Sequence, residues 1–361
     1  MTEILFRLLR EDDIDAVNTF YNNYHNAGRT RDKFNWEFNE SPHGKGIYIL
    51  AVNTDTGSII GIQAGIPVIL INAEGKEVLT VKSEDTLIDV DACAAFRRRD
   101  VFKELYGWFF EECRRRGVAY VWGFTWVVKS LKRVGCEIPF RAGQKIMVLE
   151  PLLSYGILSK LNSKNTFREK ALIMMMVWVA WIKGFQGRLP QFHRAGFKIN
   201  EEILDNTGLF REAAGKEQLF FIRQDEPYLR WRIEQNPYTL DYHLLNFMKD
   251  DRMMAQVIFS INAEGQAFIE QILYSAGLGR RAKKNIIVSV IGKLKKMHAA
   301  HVRFMVFEAN KINREESELL DYSGFLNVKP GMGVLFKNLD ETETVKPEQI
   351  VFSRLYTQGH A

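Results

Sequence analysis

Cysteine is scarce in this chain. Cys93, Cys113 and Cys136 make an odd number with no CxxC spacing, which argues against a disulfide scaffold or a zinc site and points to a reducing, cytoplasmic setting with no metal. Charge of one sign is scarce too: 49 basic against 44 acidic residues leave +5 over 361 residues. That excess is too small for a nucleic-acid surface, so no nucleic acid is expected, but it suits phosphorylated small molecules. No GxGxxG follows the first apolar segment, so a dinucleotide-binding fold has little support. The run ALIMMMVWVAWI, residues 171–182, falls short of the roughly 20 residues a bilayer span needs. It is expected as a buried helix between domains, not as a peripheral membrane contact. The start, MTEILFRLLREDDID, breaks its apolar stretch with Arg7 and follows it with acids, unlike a signal peptide.

What is present is an alternation of elements long enough for roughly two domains. ILFRLL reads as a short strand, and EDDIDAVNTFYNNYH as a helix opened by acids, with Ile14, Val17, Phe20 or Tyr21, and Tyr24 at helical spacing. GIYILAV, SIIGIQAGIPVILI and KEVLTV running into TLIDVDA follow, separated by the turn signals NTDTGS and NAEGK, which predicts an antiparallel meander. A helix near 98–116, the strand VAYVWGFT, a helix near 126–134 and a strand around KIMVLEP complete a mixed order.

The second half repeats the first. FNWEFNESPHGKGIYILAV and LRWRIEQNPYTLDYHLLNF each set a Trp six positions before a Pro, Trp36 to Pro42 and Trp231 to Pro237, then run into a strand, a polar turn and another strand. VAYVWGFT with Gly135 has its counterpart in VRFMVFEA with Gly324. A tandem duplication accounts for this shared order. The expected fold class is α/β, with two tandem domains, each a mostly antiparallel mixed sheet flanked by helices. The expected division is a first domain at 1–150, a linker with the apolar helix at 151–205, a second domain at 206–340 and a tail at 341–361.

Between a strand and a helix, VDACAAFRRRDVFKEL sets three arginines at a helix start, a place that favours negative charge, so an anion must come from elsewhere. This stretch, with the order of elements over residues 4–149, resembles the GNAT superfamily of CoA-dependent N-acyltransferases, whose fourth strand runs into a pyrophosphate loop. Arg97 takes the first place of that loop, Asp100 stands where a glycine is usual, and Phe102 holds the last position. RRRDVFKEL together with WGFT looks most like the tandem members that acylate nucleotide-linked amino sugars for surface polysaccharides. The resemblance implies acyl-CoA as co-substrate, held by Val90, Ala92, Arg97, Arg98, Arg99, Asp100, Val101, Phe102 and Thr125. Backbone N–H groups at the helix start and the arginine forks would meet its phosphates. It also implies transfer of an acetyl or short hydroxyacyl group to a dTDP- or UDP-linked amino sugar, with the second domain a degenerate copy.

Direct transfer needs a donor for the tetrahedral oxyanion and a destination for the amine proton. The resemblance places the donor on the fourth strand, whose end aligns with Val90, Asp91 and Ala92. Glu84, Asp85, Asp89 and Asp91 are the pool of bases, and period-2 alternation sets the three aspartates on one face and Glu84 on the other. The tyrosine with which many family members protonate the departing thiolate corresponds to Leu131. Trp36, Arg230, Trp231 and Arg232 could stack a base or bind phosphate of the acceptor, or equally serve as core and helix surface. Two rival readings are a Fem-like transferase using aminoacyl-tRNA, also built from tandem units, and a noncatalytic scaffold of the same fold.

Overall fold

Turn chemistry and β-branched runs build the meander in the computed structural model, which describes residues 3–96, 99–160, 166–187, 196–215, 217–328, 331–343 and 345–356. β1 (Ile4–Leu8), β2 (Ile47–Asn53), β3 (Ile59–Asn72) and β4 (Glu77–Ile88) pair antiparallel in that order. The β3–β4 turn closes on Gly75 at φ +87°, a left-handed conformation that a glycine adopts without steric cost. α1 (Ile14–His25) and α2 (Arg31–Phe38) separate β1 from β2.

After β4 come a short helix α3 (Val90–Cys93), α4 (Val101–Arg115), β5 (Tyr120–Thr125), α5 (Val128–Arg133), β6 (Glu137–Arg141) and β7 (Gly143–Val148). Val101, Leu105, Phe109 and Cys113 recur at helical spacing along α4 and are buried with Ile49 and Val121 of the sheet, while Arg114 and Arg115 favour its negative C-terminal end. The second half supplies β8 (Lys198–Asn200), α8 (Thr207–Ala214), β9 (Phe220–Ile222), and α9 (Glu226–Leu229), which runs into a π-helical turn, Arg230–Glu234. β10 (Asp241–Lys249), β11 (Arg252–Ile261) and β12 (Gln266–Tyr274) then repeat the meander. α10 (Arg280–Lys296), β13 (His301–Val306), α11 (Lys311–Tyr322), β14 (Leu326–Val328) and β15 (Gly333–Asn338) follow.

The two sheets trade strands. β15 lies between β5 and β6 in the first sheet, while β7 pairs with β13 and β14 in the second. Ala142, the single residue between β6 and β7, fixes the crossing: its N–H donates to Met332 O at 2.9 Å and its carbonyl accepts from Gly331 N–H at 2.6 Å. Each half is thus completed by a strand of the other, and one shared core, containing Trp36, Trp122, Trp231, Phe307 and Phe352, draws residues from both.

Two local expectations are corrected. The strand through TLIDVDA stops at Ile88, because the Asp89 carboxylate accepts from Ala92 N–H at 2.8 Å and turns the chain into α3. The apolar run lies in α7 (Phe167–Gly187), behind α6 (Pro151–Lys160), and is not buried between domains. Val177 and Ala180 pack with Val148 and Leu326 at the margin of the second sheet, whereas Met176 and Val179 are 59% and 53% exposed. A single helix laid on a sheet margin can bury only one of its faces.

Candidate active site at the parting of two strands

β4 and β5 run parallel but pair only from Thr80 to Lys82, against Tyr120 to Trp122. Beyond that point both continue apart. The cause is a bulge in β4: Ala64 faces Glu84 and Ile62 faces Leu87, so the lone Gln63 opposes both Asp85 and Thr86. Asp85 sits at φ +46°, a left-handed conformation that aspartate tolerates better than most residues. Among the described residues, neither Asp85 nor Thr86 has a ladder partner in β3 or β5. The bulge thus lies where β4 leaves β5.

The bulge turns the Asp85 side chain into a buried polar cluster. Its carboxylate pairs with Arg29 and accepts from the Tyr48 hydroxyl at 2.9 Å. Arg29 also donates from Nε to Asn18 Oδ1 at 2.8 Å, lies 3.9 Å from Glu37 Oε2, and sits over the Tyr21 ring at 3.8 Å. Tyr238, from the second half, donates to Glu37 Oε2 at 3.1 Å. Glu37 Oε1 is buried without a hydrogen-bond partner among the described residues. Burial, and then the charge of Asp85, push the Glu37 carboxyl up to about 7. Burial also works against the Arg29 charge, yet Asp85, Tyr48 and Glu37 hold its pKa above the ordinary value. On the same strand Lys82 pairs with Glu84, and burial followed by the nearby Arg232 brings Lys82 down to about 7.

On the outer side, an open groove of about 480 Å³ is lined by Ile88, Val90, Cys93, Arg99, Val101, Phe102 and Arg133, with Asp100 at the start of α4. Asp100 caps that helix: its Oδ1 accepts from Lys103 N–H at 3.2 Å, and its other oxygen pairs with Arg133. Arg99 pairs with Glu104. Both arginines are thus already oriented by acids at the lip of the groove. Arg97 and Arg98 lie outside the described residues.

The remaining candidates are scattered by the fold. Thr125 ends β5, where its Oγ1 accepts from Val127 N–H at 2.9 Å. Val90, Asp91 and Ala92 belong to the helical turn of α3, not to the strand, and the irregularity of β4 lies earlier, at Asp85 and Thr86. The expected common face of Asp85, Asp89 and Asp91 does not form: Asp85 points into the cluster, Asp89 caps α3, and Asp91 is exposed. Glu84 alone among the four is a partly exposed carboxylate on the splayed strand, its side chain 22% accessible.

Trp36 and Trp231 stack on each other with centroids 4.8 Å apart and are buried, so neither offers a platform to a base. Arg230 is spent on Glu226 and Glu234 at 2.8 Å each, and buried Arg232 donates from Nε to Leu355 O at 3.1 Å. Leu131 is core. Arg29, Glu37, Tyr48, Lys82 and Tyr238 were absent from the sequence-based candidates. The one local sign is Lys82, a cation within the apolar and hydroxylic stretch from Val78 to Ser83 of β4.

No protein-family model and no curated protein sequence matches the chain. Solved structures do. The fold is similar to that of a GCN5-related N-acetyltransferase from Anabaena variabilis, with TM-score 0.61 and 9% identity over 94% of this chain and 73% of that one. It is similar to Saccharomyces cerevisiae N-myristoyltransferase with bound myristoyl-CoA, with TM-score 0.58 and 12% identity over 98% and 90% of the two chains. A tandem GNAT protein from the clavulanic acid biosynthesis pathway matches with TM-score 0.56 and 10% identity, over 94% of this chain and all of that one. At these identities the likeness is one of fold: mixed sheets flanked by helices, doubled in a GNAT-like tandem.

Proposed function

We propose that this protein is an acyl-CoA-dependent N-acyltransferase that acylates the amine of a nucleotide-linked amino sugar within a ternary complex. The observation that carries this reading is the parting of β4 from β5 beyond Lys82, with a bulge at Asp85 and Thr86 and an open groove at the start of α4. The pantetheine arm would lie along Ile88, Val90 and Phe102, and the pyrophosphate would meet the α4 N-terminus near Arg99 and Arg133. The thioester carbonyl would then accept from the N–H groups of the bulge, which supply preorganised oxyanion donors.

The amine nitrogen attacks the thioester carbon, forming the C–N bond, and collapse of the oxyanion breaks the C–S bond. The amine proton passes, through water, to Glu84, the partly exposed carboxylate beside the parting. The thiolate takes its proton from solvent, since buried Leu131 has no acid to offer. The sugar acceptor is supported by the sequence resemblance of RRRDVFKEL and WGFT. Thiol release should be followed with acyl-CoAs of several lengths and with dTDP- and UDP-linked amino sugars. Glu84→Gln is expected to lower kcat by about 10²–10⁴-fold with an unchanged circular dichroism spectrum. Failure of every acyl-CoA to bind in calorimetry would remove the proposal.

Asp100 supplies a separate test. Asparagine caps a helix as well as aspartate does, so Asp100→Asn keeps the N-terminus of α4 while removing an anion from the path of the phosphates. CoA affinity should rise about tenfold in low salt. The gain should shrink at about 1 M salt, where the screening length falls to about 3 Å.

A further inference from the structure

An uncovered apolar face runs the length of α7. Leu172, Met175, Met176, Trp178, Val179 and Ile182 all stand exposed on it, across about half of the helix circumference by helical spacing. The opposite stripe, Val177 and Ala180, is the side that packs on the second sheet. A contiguous apolar strip of this kind on a folded protein marks an interaction surface.

The charges around it are mostly basic. Exposed Arg168 shares the outward face at one end and half-buried Lys183 stands at the other, with exposed Lys160 and Lys170 nearby. Glu169, the lone acid of the helix, caps its own N-terminus by accepting from Thr166 N–H at 2.6 Å. No helix among the described residues is long and apolar enough to cross a membrane. We infer that α7 lies in the headgroup plane of an anionic lipid bilayer, its apolar face among the acyl chains and Arg168 and Lys183 on the phosphates. A second copy of the chain fits less well, because a two-fold contact through this face would bring two cationic rims together.

Flotation of the full chain with vesicles tests this, using phosphatidylcholine alone or with about 30% phosphatidylglycerol. The protein should float with the anionic vesicles and bind them at least about tenfold better than the neutral ones. Leu172→Glu with Val179→Glu should abolish flotation. Because that variant could perturb packing, Arg168→Gln with Lys183→Gln is the second arm: it should lose the preference for anionic vesicles at an unchanged melting temperature. Three results would each overturn the inference: no flotation with either composition, equal flotation of wild type and the double glutamate variant, or a dimer in sedimentation equilibrium that the glutamates dissociate in a protein that never binds vesicles.

Discussion

Arg29→Leu should cost the folded state about 3–5 kcal/mol, the range for removing one partner of a buried ion pair, and should abolish most of the activity. Arg29 is the cation on which Asp85 and Glu37 both converge, and the side chains of all three are at most 5% accessible. Leucine leaves two carboxylates facing each other without compensation. Asp85 is also the bulged residue, so losing its anchor releases the backbone that keeps β4 apart from β5. Urea unfolding reads the stability, and thiol release reads the activity. Arg29→Leu combined with Asp85→Asn and Glu37→Gln should recover much of the stability, because the charges are then removed together.

The pH dependence of that deficit separates charge from packing. The folded-state pKa of Glu37 is raised, so its contribution is fully present below the ordinary carboxyl value and is lost as pH rises through about 7. Arg29 is one of the charges that restrain this rise. Without it the Glu37 carboxyl moves higher still, and the deficit of Arg29→Leu should be larger at about pH 8 than at about pH 5. An equal deficit at both would mean that Arg29 acts mainly by stacking on Tyr21.

The sequence makes the meander legible because its signals are local: apolar runs bounded by NTDTGS and NAEGK form the strands they predict. The duplication is legible for the same reason, since the Trp–Pro spacing lies within one short segment of each half. The end of β4 is not. Asp at alternate positions fits a polar strand face, yet Asp85 occupies a bulge and Asp89 a helix cap, and both break the period of two. Arg29 and Glu37, at the entry to α2 and within it, meet Asp85 and Tyr238 from two distant segments, so no spacing announces the cluster. The exchange of β7 and β15 is equally non-local. For α7, length and hydrophobicity identify a helix, but only the sheet margin decides which face is covered.

The duplicated tryptophans lead to the other large effect. Trp36 Nε1 donates to Trp231 O, and Trp231 Nε1 donates to Trp36 O, each at 2.9 Å, across stacked rings 20° from parallel. The segment that repeats in sequence thus meets its own counterpart in space. Trp36→Ala is expected to cost about 3–5 kcal/mol through the lost ring, and it also strips the donor from a buried carbonyl. Trp36→Phe keeps an aromatic ring in the stack while losing the N–H and part of the buried ring volume, and should cost about 1–3 kcal/mol. Since the rings act as one unit, Trp36→Ala with Trp231→Ala should fall short of the sum of the single variants by about 1–3 kcal/mol. The exchanged strands tie both halves to this contact, so calorimetry should show one unfolding transition moving to lower temperature, not two parting from each other. Because each ring is covered by the other, Trp36→Phe should leave the KM for a nucleotide-linked acceptor unchanged; a rise of several fold would mean that the pair opens to stack the base.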